Sequence, residues 1–362
     1  MLFRTAATLV AAVLFLMPVL AVPQTDAKCA VLIDADTGAV LYAHNAETPS
    51  LIASTTKIMT AVVALESAEL SQCYTVPPEA CGVEGSSVYL KPGERLTVEE
   101  LLYCMMLHSG NDAAVALALC CGGTLDAFVQ KMNDKAQALS LNGTHFANPN
   151  GLDDKNNHST ALDMARLTAY ALKNESFARI VSSRTALVGT RRLTNHNRLL
   201  WSIEGAMGVK TGFTKAAGRI LVSAVERVGR RLIAVTFNDG NDWRDHKNLY
   251  DYGFALYETH TLARRGEPVG TVELLSGGRA VLCAGCEVQA AQTEKETLRL
   301  RILMPKAEFS AGLPGQAAGI GGAFAGERCI ATFPLVWGDW EELDGTDTEN
   351  HIRARHCLTP GG

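Results

Sequence analysis

Two hairpins bracket a long helical stretch in this chain, and that bracketing restricts the fold more than any other feature. The first joins Cys29-Ala-Val-Leu-Ile33 to Ala39-Val-Leu-Tyr-Ala43 across the turn Asp36-Thr-Gly38. The second joins Arg219-Ile-Leu-Val-Ser-Ala-Val225 to Arg231-Leu-Ile-Ala-Val-Thr-Phe237 across Arg227-Val-Gly-Arg230. Apolar runs bounded by such turns read as strands. Between them, helical periodicity appears at 54–66, 97–107, 111–120, 124–139 and 160–173, and Thr97 with Glu100 forms a capping box at the start of the second of these. A last helix runs from Asp242 to Tyr257. Strands at both ends with helices between them predict one α+β domain whose sheet unites the two ends.

From about residue 258 the texture changes. Thr271-Val-Glu-Leu-Leu275, Arg279-Ala-Val-Leu-Cys283 and Leu298-Arg-Leu-Arg-Ile-Leu303 read as short strands of a small β-rich domain. Gly312 to Gly326 is glycine-rich without a GxGxxG, and reads as turns. From Asp339 the chain carries Glu341, Glu342, Asp344, Asp347 and Glu349 and reads as a solvated acidic tail. At the other end, Arg4 precedes an apolar run from Leu9 to Met17, then Pro18 and small residues, which is the order of a secretory signal. Cleavage after Ala21 or after Ala27 fits equally, and an uncleaved anchor is the alternative. The expected division is a signal peptide at 1–27, a main domain at 28–257, a β-rich domain at 258–338 and a tail at 339–362.

Composition narrows the classes further. The 33 basic and 38 acidic residues give a net charge of -5 and no basic footprint for nucleic acid. Ten cysteines suit an oxidising compartment, and their pairing is not deducible. Cys283-Ala-Gly-Cys286 is a lone CxxC with no second pair, so no metal is expected. The mature protein reads as exported.

The chemistry starts from a lysine without local partners. Lys57 lies near the start of the first helical pattern, three residues after Ser54, and its helical neighbours Ala53, Ser54, Thr60 and Ala61 carry no negative charge. Helical spacing puts Ser54 and Lys57 on one face, so the amine can reach the hydroxyl. A free lysine titrates near ~10.4, whereas a base working at neutral pH needs a value of about 7–8, a drop worth roughly 4 kcal/mol. Desolvation, the positive end of the helix dipole and a second cation all push that way. Ser54-Thr-Thr-Lys57 is one of three motifs, with Ser109-Gly-Asn111 and Lys210-Thr-Gly212. Each is weak alone. In this order, behind an export signal and between two sheet hairpins, they are a strong signal.

On these motifs, and on Ala147-Asn-Pro-Asn-Gly-Leu-Asp153 and Gly208-Val-Lys-Thr-Gly-Phe-Thr214, the chain resembles the D-alanyl-D-alanine carboxypeptidases of the low-molecular-weight penicillin-binding proteins. The resemblance covers nearly the whole length. It implies a β-lactamase/transpeptidase-like domain, an antiparallel sheet with a helical cluster, followed by a small β-rich domain. It also implies a serine acyl-enzyme acting on peptidoglycan stem peptides ending in D-Ala-D-Ala, without cofactor, and β-lactams as covalent inhibitors. By matching position, Ser54 would be the nucleophile, Lys57 its base, and Ser109 the relay to the leaving D-alanine. Asn111 would orient Lys57 and the substrate amide, and Lys210 and Thr211 would hold the terminal carboxylate. Gly212 would leave room for the substrate backbone, and the N–H groups of Ser54 and Phe213 would form the oxyanion hole. Many members of that family end in an amphipathic helix lying on the membrane. This acidic tail has no apolar stripe, so membrane association is left open.

Rival readings share parts of this pattern. A class A β-lactamase needs a glutamate between the second and third motifs, and none stands between Glu100 and Glu175; Glu175 and Glu204 lack an ExxLN context. A D,D-endopeptidase uses the same residues on cross-linked peptides. A wall-binding module with a decayed site conflicts with the intact motifs. Neither HExxH nor GxSxG occurs. His108 and His246 read as surface or core residues.

Overall fold

The computed structural model describes residues 21–274, 278–292, 297–303 and 312–341. Most of the expected signal segment and the tail beyond residue 341 lie outside the described residues.

Five strands form the main sheet in the order Val40–His44, Cys29–Asp34, Arg230–Phe237, Gly218–Arg227, Ala206–Thr214. All neighbours are antiparallel, and Val31 stands opposite Val235 where the two hairpins join. The expected sharing of one sheet is therefore met. All six residues of Cys29–Asp34 are buried, because helices cover both faces. On one face Val31, Ile33, Val222 and Val235 pack against the main helical cluster. On the other, Leu32, Leu221 and Leu232 meet Leu249 and Tyr250 of the last helix.

Among the described residues eight α-helices accompany the sheet: α1 (Lys57–Ser67), α2 (Val98–Leu107), α3 (Asn111–Gly122), α4 (Leu125–Ala138), α5 (Ala161–Ala171), α6 (Glu175–Ser182), α7 (Leu199–Ser202) and α8 (Asp242–Ala255). The capping box of α2 is formed: Glu100 N donates to Thr97 Oγ1 at 3.2 Å and Thr97 N to the Glu100 carboxylate at 2.8 Å. α1 starts later than periodicity suggests, because Ala53–Thr56 is a 3₁₀ turn entered through Ala53 at φ +44°. α6, α7 and the hairpin of Thr185–Val188 with Arg191–Thr194 were not anticipated. No single helix among the described residues is long and apolar enough to cross a membrane. No disulfide joins the described cysteines.

A second five-stranded sheet follows, in the order Pro268–Glu273, Arg279–Ala284, Arg328–Glu341, Ala317–Ala325, Leu298–Ile302. It has its own core around Leu282, Ala284, Phe333 and Leu335. Turns are confined to the two ends of the glycine-rich stretch, at Gly315 and Gly326, and the part between them, Ala317–Ala325, is a strand. A Cβ on Gly321 would come 2.5 Å from the Phe333 ring, and one on Gly322 would meet Phe324 and Leu303. These glycines make room for neighbouring side chains rather than bends. The long strand reaches Glu341, so the first three residues of the expected tail, from 339, belong to the sheet.

The tip of the second hairpin lies against this region. Gly229 takes φ +74° and a Cβ there would sit 2.6 Å from the Ile330 carbonyl oxygen. Next to it the fully buried Arg230 donates from Nε to the Ala291 carbonyl at 3.1 Å, stands 3.6 Å from the Asp34 carboxylate and stacks over Tyr257.

Candidate active site

Ser54 lies in the 3₁₀ turn and Lys57 opens α1, so the two share one face across three residues. Lys57 is fully buried. Its Nζ lies 2.9 Å from Ser54 Oγ, 2.7 Å from Asn111 Oδ1 and 2.5 Å from the Asn150 carbonyl oxygen. Two of these partners can only accept. A neutral amine has two hydrogens and one lone pair, so those hydrogens go to Asn111 and Asn150 and the lone pair faces the Ser54 hydroxyl. Burial holds the Lys57 amine well below the usual lysine range, Lys210 adds to that, and Asp112 opposes it.

Ser109 and Asn111 come from the α2–α3 junction, where Ser109 takes φ +64°. Asn111 Nδ2 donates to the Glu84 carbonyl at 2.5 Å, and its backbone N–H donates to Ser86 at 2.7 Å. This fixes the amide so that its oxygen faces Lys57. Gly85 is required for that contact, since at φ +89° its Cβ would come 2.7 Å from Asn111 Nδ2. Buried Asp112 ties the same loop down by accepting from Ser87 Oγ, Val88 N and Leu90 N.

Lys210 sits on Ala206–Thr214, the sheet's edge strand, and is 1% exposed. Its Nζ donates to Ser109 Oγ at 3.0 Å and to the Thr211 carbonyl at 2.8 Å. Burial pushes it down to about 7. Two buried lysines thus each face a serine. Gly212 brings the edge strand against the nucleophile's turn: its Cβ would stand 3.3 Å from Ser54 N and from the Ile52 carbonyl oxygen. Gly151, at φ +87°, closes the other side, where any Cβ would overlap the Ala53 carbonyl.

Above this floor opens a cleft of about 590 Å³, lined in part by Ser54, Ser109, Thr211, Gly212 and Phe213. All eight residues singled out from the sequence converge here, with Lys57, Asn111 and Lys210 buried. Sequence reasoning missed the Asn150 carbonyl, although the segment from Ala147 to Asp153 was noticed; Thr214 Oγ1 donates to Asp153 at 2.8 Å and links that segment to the edge strand. It also missed the wall formed by His196, Arg198 and Trp201. His196 packs against His108 at 5.1 Å, and burial beside Lys210 pushes its imidazole down to about 4. His246 is a core residue between Ser223 and Thr236. Among the described residues no three His, Cys, Asp or Glu side chains are grouped to hold a metal ion.

A family profile described as D-alanyl-D-alanine carboxypeptidase (Peptidase_S11) matches residues 18–241. The chain is similar to the D-alanyl-D-alanine carboxypeptidase DacF of Bacillus subtilis, with 36% identity over 265 residues, 70% of this chain and 68% of that protein. It is also similar to the crystal structure of penicillin binding protein 5 from Haemophilus influenzae, with a TM-score of 0.64 and 28% identity over 89% of this chain and 99% of that one. Against the Streptomyces K15 DD-transpeptidase the TM-score is 0.61, with 34% identity over 65% of this chain and 99% of that one.

Proposed function

Because the chain belongs to the D-alanyl-D-alanine carboxypeptidase family of serine peptidases, we propose that Ser54 is the nucleophile, Lys57 its base and Ser109 the relay to the leaving amine. The observation that carries this assignment is the threefold environment of Lys57 Nζ, which aims a lone pair at Ser54 Oγ. Ser54 gives its proton to Lys57 as Oγ attacks the carbonyl of the penultimate D-alanine. The oxyanion is met by the backbone N–H groups of Ser54 and Phe213. As the C–N bond breaks, the proton passes from Lys57 through Ser109 to the departing D-alanine, so Lys57 is neutral again. Water then attacks the acyl-enzyme with Lys57 taking its proton; as the ester bond to Ser54 breaks, Lys57 returns that proton to Oγ, the shortened peptide departs and both side chains are restored.

The other residues serve this step by position. Asn111 orients Lys57, and its amide is already fixed by Glu84. Gly212 lets a peptide backbone lie along the free edge of Ala206–Thr214. Thr211 and Lys210 border the place of the terminal carboxylate, and Lys210 orients Ser109. The enzyme is a serine-type D-Ala-D-Ala carboxypeptidase acting on peptidoglycan peptides. Its work lies on the outer side of the cytoplasmic membrane, which the export signal in the sequence supports. No glutamate lines the cleft among the described residues, which speaks against lactamase turnover. The test is incubation with a defined pentapeptide ending in D-Ala-D-Ala, followed by mass analysis. Loss of one alanine by the native protein and none by Ser54→Ala is the expected result.

A further inference from the structure

A peptidase that trims a free C-terminus needs a positive charge where the carboxylate lies. Lys210 is a poor source of it: the amine is buried and committed to Ser109 and the Thr211 carbonyl. Its depressed proton affinity further thins its charge at neutral pH. Arg219 also lines the cleft, but its Nη2 holds both oxygens of the buried Asp242 at 2.8 Å, so that pair is neutral overall. Partial desolvation, Lys210 and His108 lower the proton affinity of the His196 imidazole, so it is no permanent charge. Arg198 is different. It lines the cleft, is exposed, and has no ion-pair partner among the described residues.

We propose that Arg198 is the specificity-determining residue that holds the terminal carboxylate of the peptide. The inference rests on the carboxypeptidase reading above. The loop that carries Arg198 is fastened to the leaving-group side of the cleft. His196 N donates to the Leu107 carbonyl at 3.2 Å, two residues before Ser109. Asn195 Nδ2 donates to the carbonyls of Val181 and Ser183, each at 3.0 Å, and Asn197 Oδ1 accepts from Leu199 N at 3.1 Å. Three residues of one loop are therefore fixed, and the guanidinium alone is left to a ligand. A guanidinium stays protonated at every pH where the enzyme works, and its planar fork matches a carboxylate. Lys210 is then free to act on Ser109, and Arg198 supplies the permanent charge.

The test compares two pentapeptides, one ending in D-alanine and one in D-alanine amide, with the native enzyme, Arg198→Ala and Arg198→Lys. The native enzyme prefers the acid. Arg198→Ala lowers kcat/KM for the acid about tenfold to a hundredfold, mainly through KM, the worth of one charge-assisted hydrogen bond. The amide loses far less, so the preference for the acid shrinks; a circular dichroism spectrum and Tm matching the native ones show that the fold is intact, and Arg198→Lys recovers part of the loss. An Arg198→Ala enzyme that keeps the native acid-to-amide ratio overturns the proposal while the carboxypeptidase reading stands. Equal cleavage of acid and amide by the native enzyme overturns that reading, and the proposal falls with it.

Discussion

The carbonyl oxygen of Asn150 reaches Lys57 Nζ at 2.5 Å from 93 residues away along the chain. With Asn111 Oδ1 it takes up both hydrogens of a neutral amine, which leaves the lone pair to face Ser54 Oγ, and burial together with Lys210 favours that neutral form. The tertiary fold, rather than the helix, decides the protonation state of this lysine. Acylation by penicillin should therefore rise with pH through a limb well below the ordinary lysine value. Lys57→Arg should lose nearly all of the rate, since a guanidinium does not deprotonate. Stopped-flow acylation across pH checks both, and a variant retaining most of its rate would reduce Lys57 to a structural role.

Ser54 should carry the acyl group. One molecule of penicillin per protein is expected, Ser54→Ala should show none, and the adduct should persist long enough for intact-mass detection. Rapid repeated turnover would instead favour lactamase chemistry.

Lys210 makes a prediction about stability. Its folded value of about 7 lies below the unfolded one near ~10.4, so folding expels a proton in that window. The unfolded state binds more protons there, and stability rises with pH between the two values. Each pH unit is worth up to about 1.4 kcal/mol for this group. Thermal unfolding should show Tm climbing less steeply between pH 7 and 9 in Lys210→Met than in the native protein. Parallel slopes would contradict a depressed lysine.

Gly151→Ala should damage catalysis without touching any reactive side chain. Its φ of +87° and the Ala53 carbonyl beneath it leave no room for a methyl group, so the turn carrying Ser54 must shift. A loss of about tenfold or more in acylation rate is expected, since ~1.4 kcal/mol of misplacement already gives that factor. Unchanged kinetics would mean that the turn tolerates displacement.

The parts of the site that sequence could carry are those marked by residue type at fixed spacing. Ser54, Lys57, Ser109, Asn111 and the Lys210–Gly212 run are legible for that reason. The central strands are legible because helices cover both faces and make them continuous apolar runs. The Asn150 contribution is a backbone carbonyl, which every residue possesses, so no residue type announces it. Arg198 matters because no described residue forms an ion pair with it, and pairing is a tertiary property. The glycines at 321 and 322 were misread because a ring on a neighbouring strand, Phe333, dictates one of them. α6 was readable after all: Phe177, Ile180 and Val181 lie on its buried face at helical spacing.

The strand Cys29–Asp34 has its hairpin mate on one side and Arg230–Phe237 on the other. A chain emerging from its N-terminus must hold that strand half-paired until some two hundred further residues have followed. Lys210 reaches Ser109 only from the edge strand of the same sheet, so the catalytic pocket is among the last things to close. A chain that stops short of Arg230–Phe237 lacks the strand on which the edge of the sheet is built, so the contact of Lys210 with Ser109 waits on a strand that carries no residue of the site. Such late closure gives many non-local contacts, and folding should be correspondingly slow.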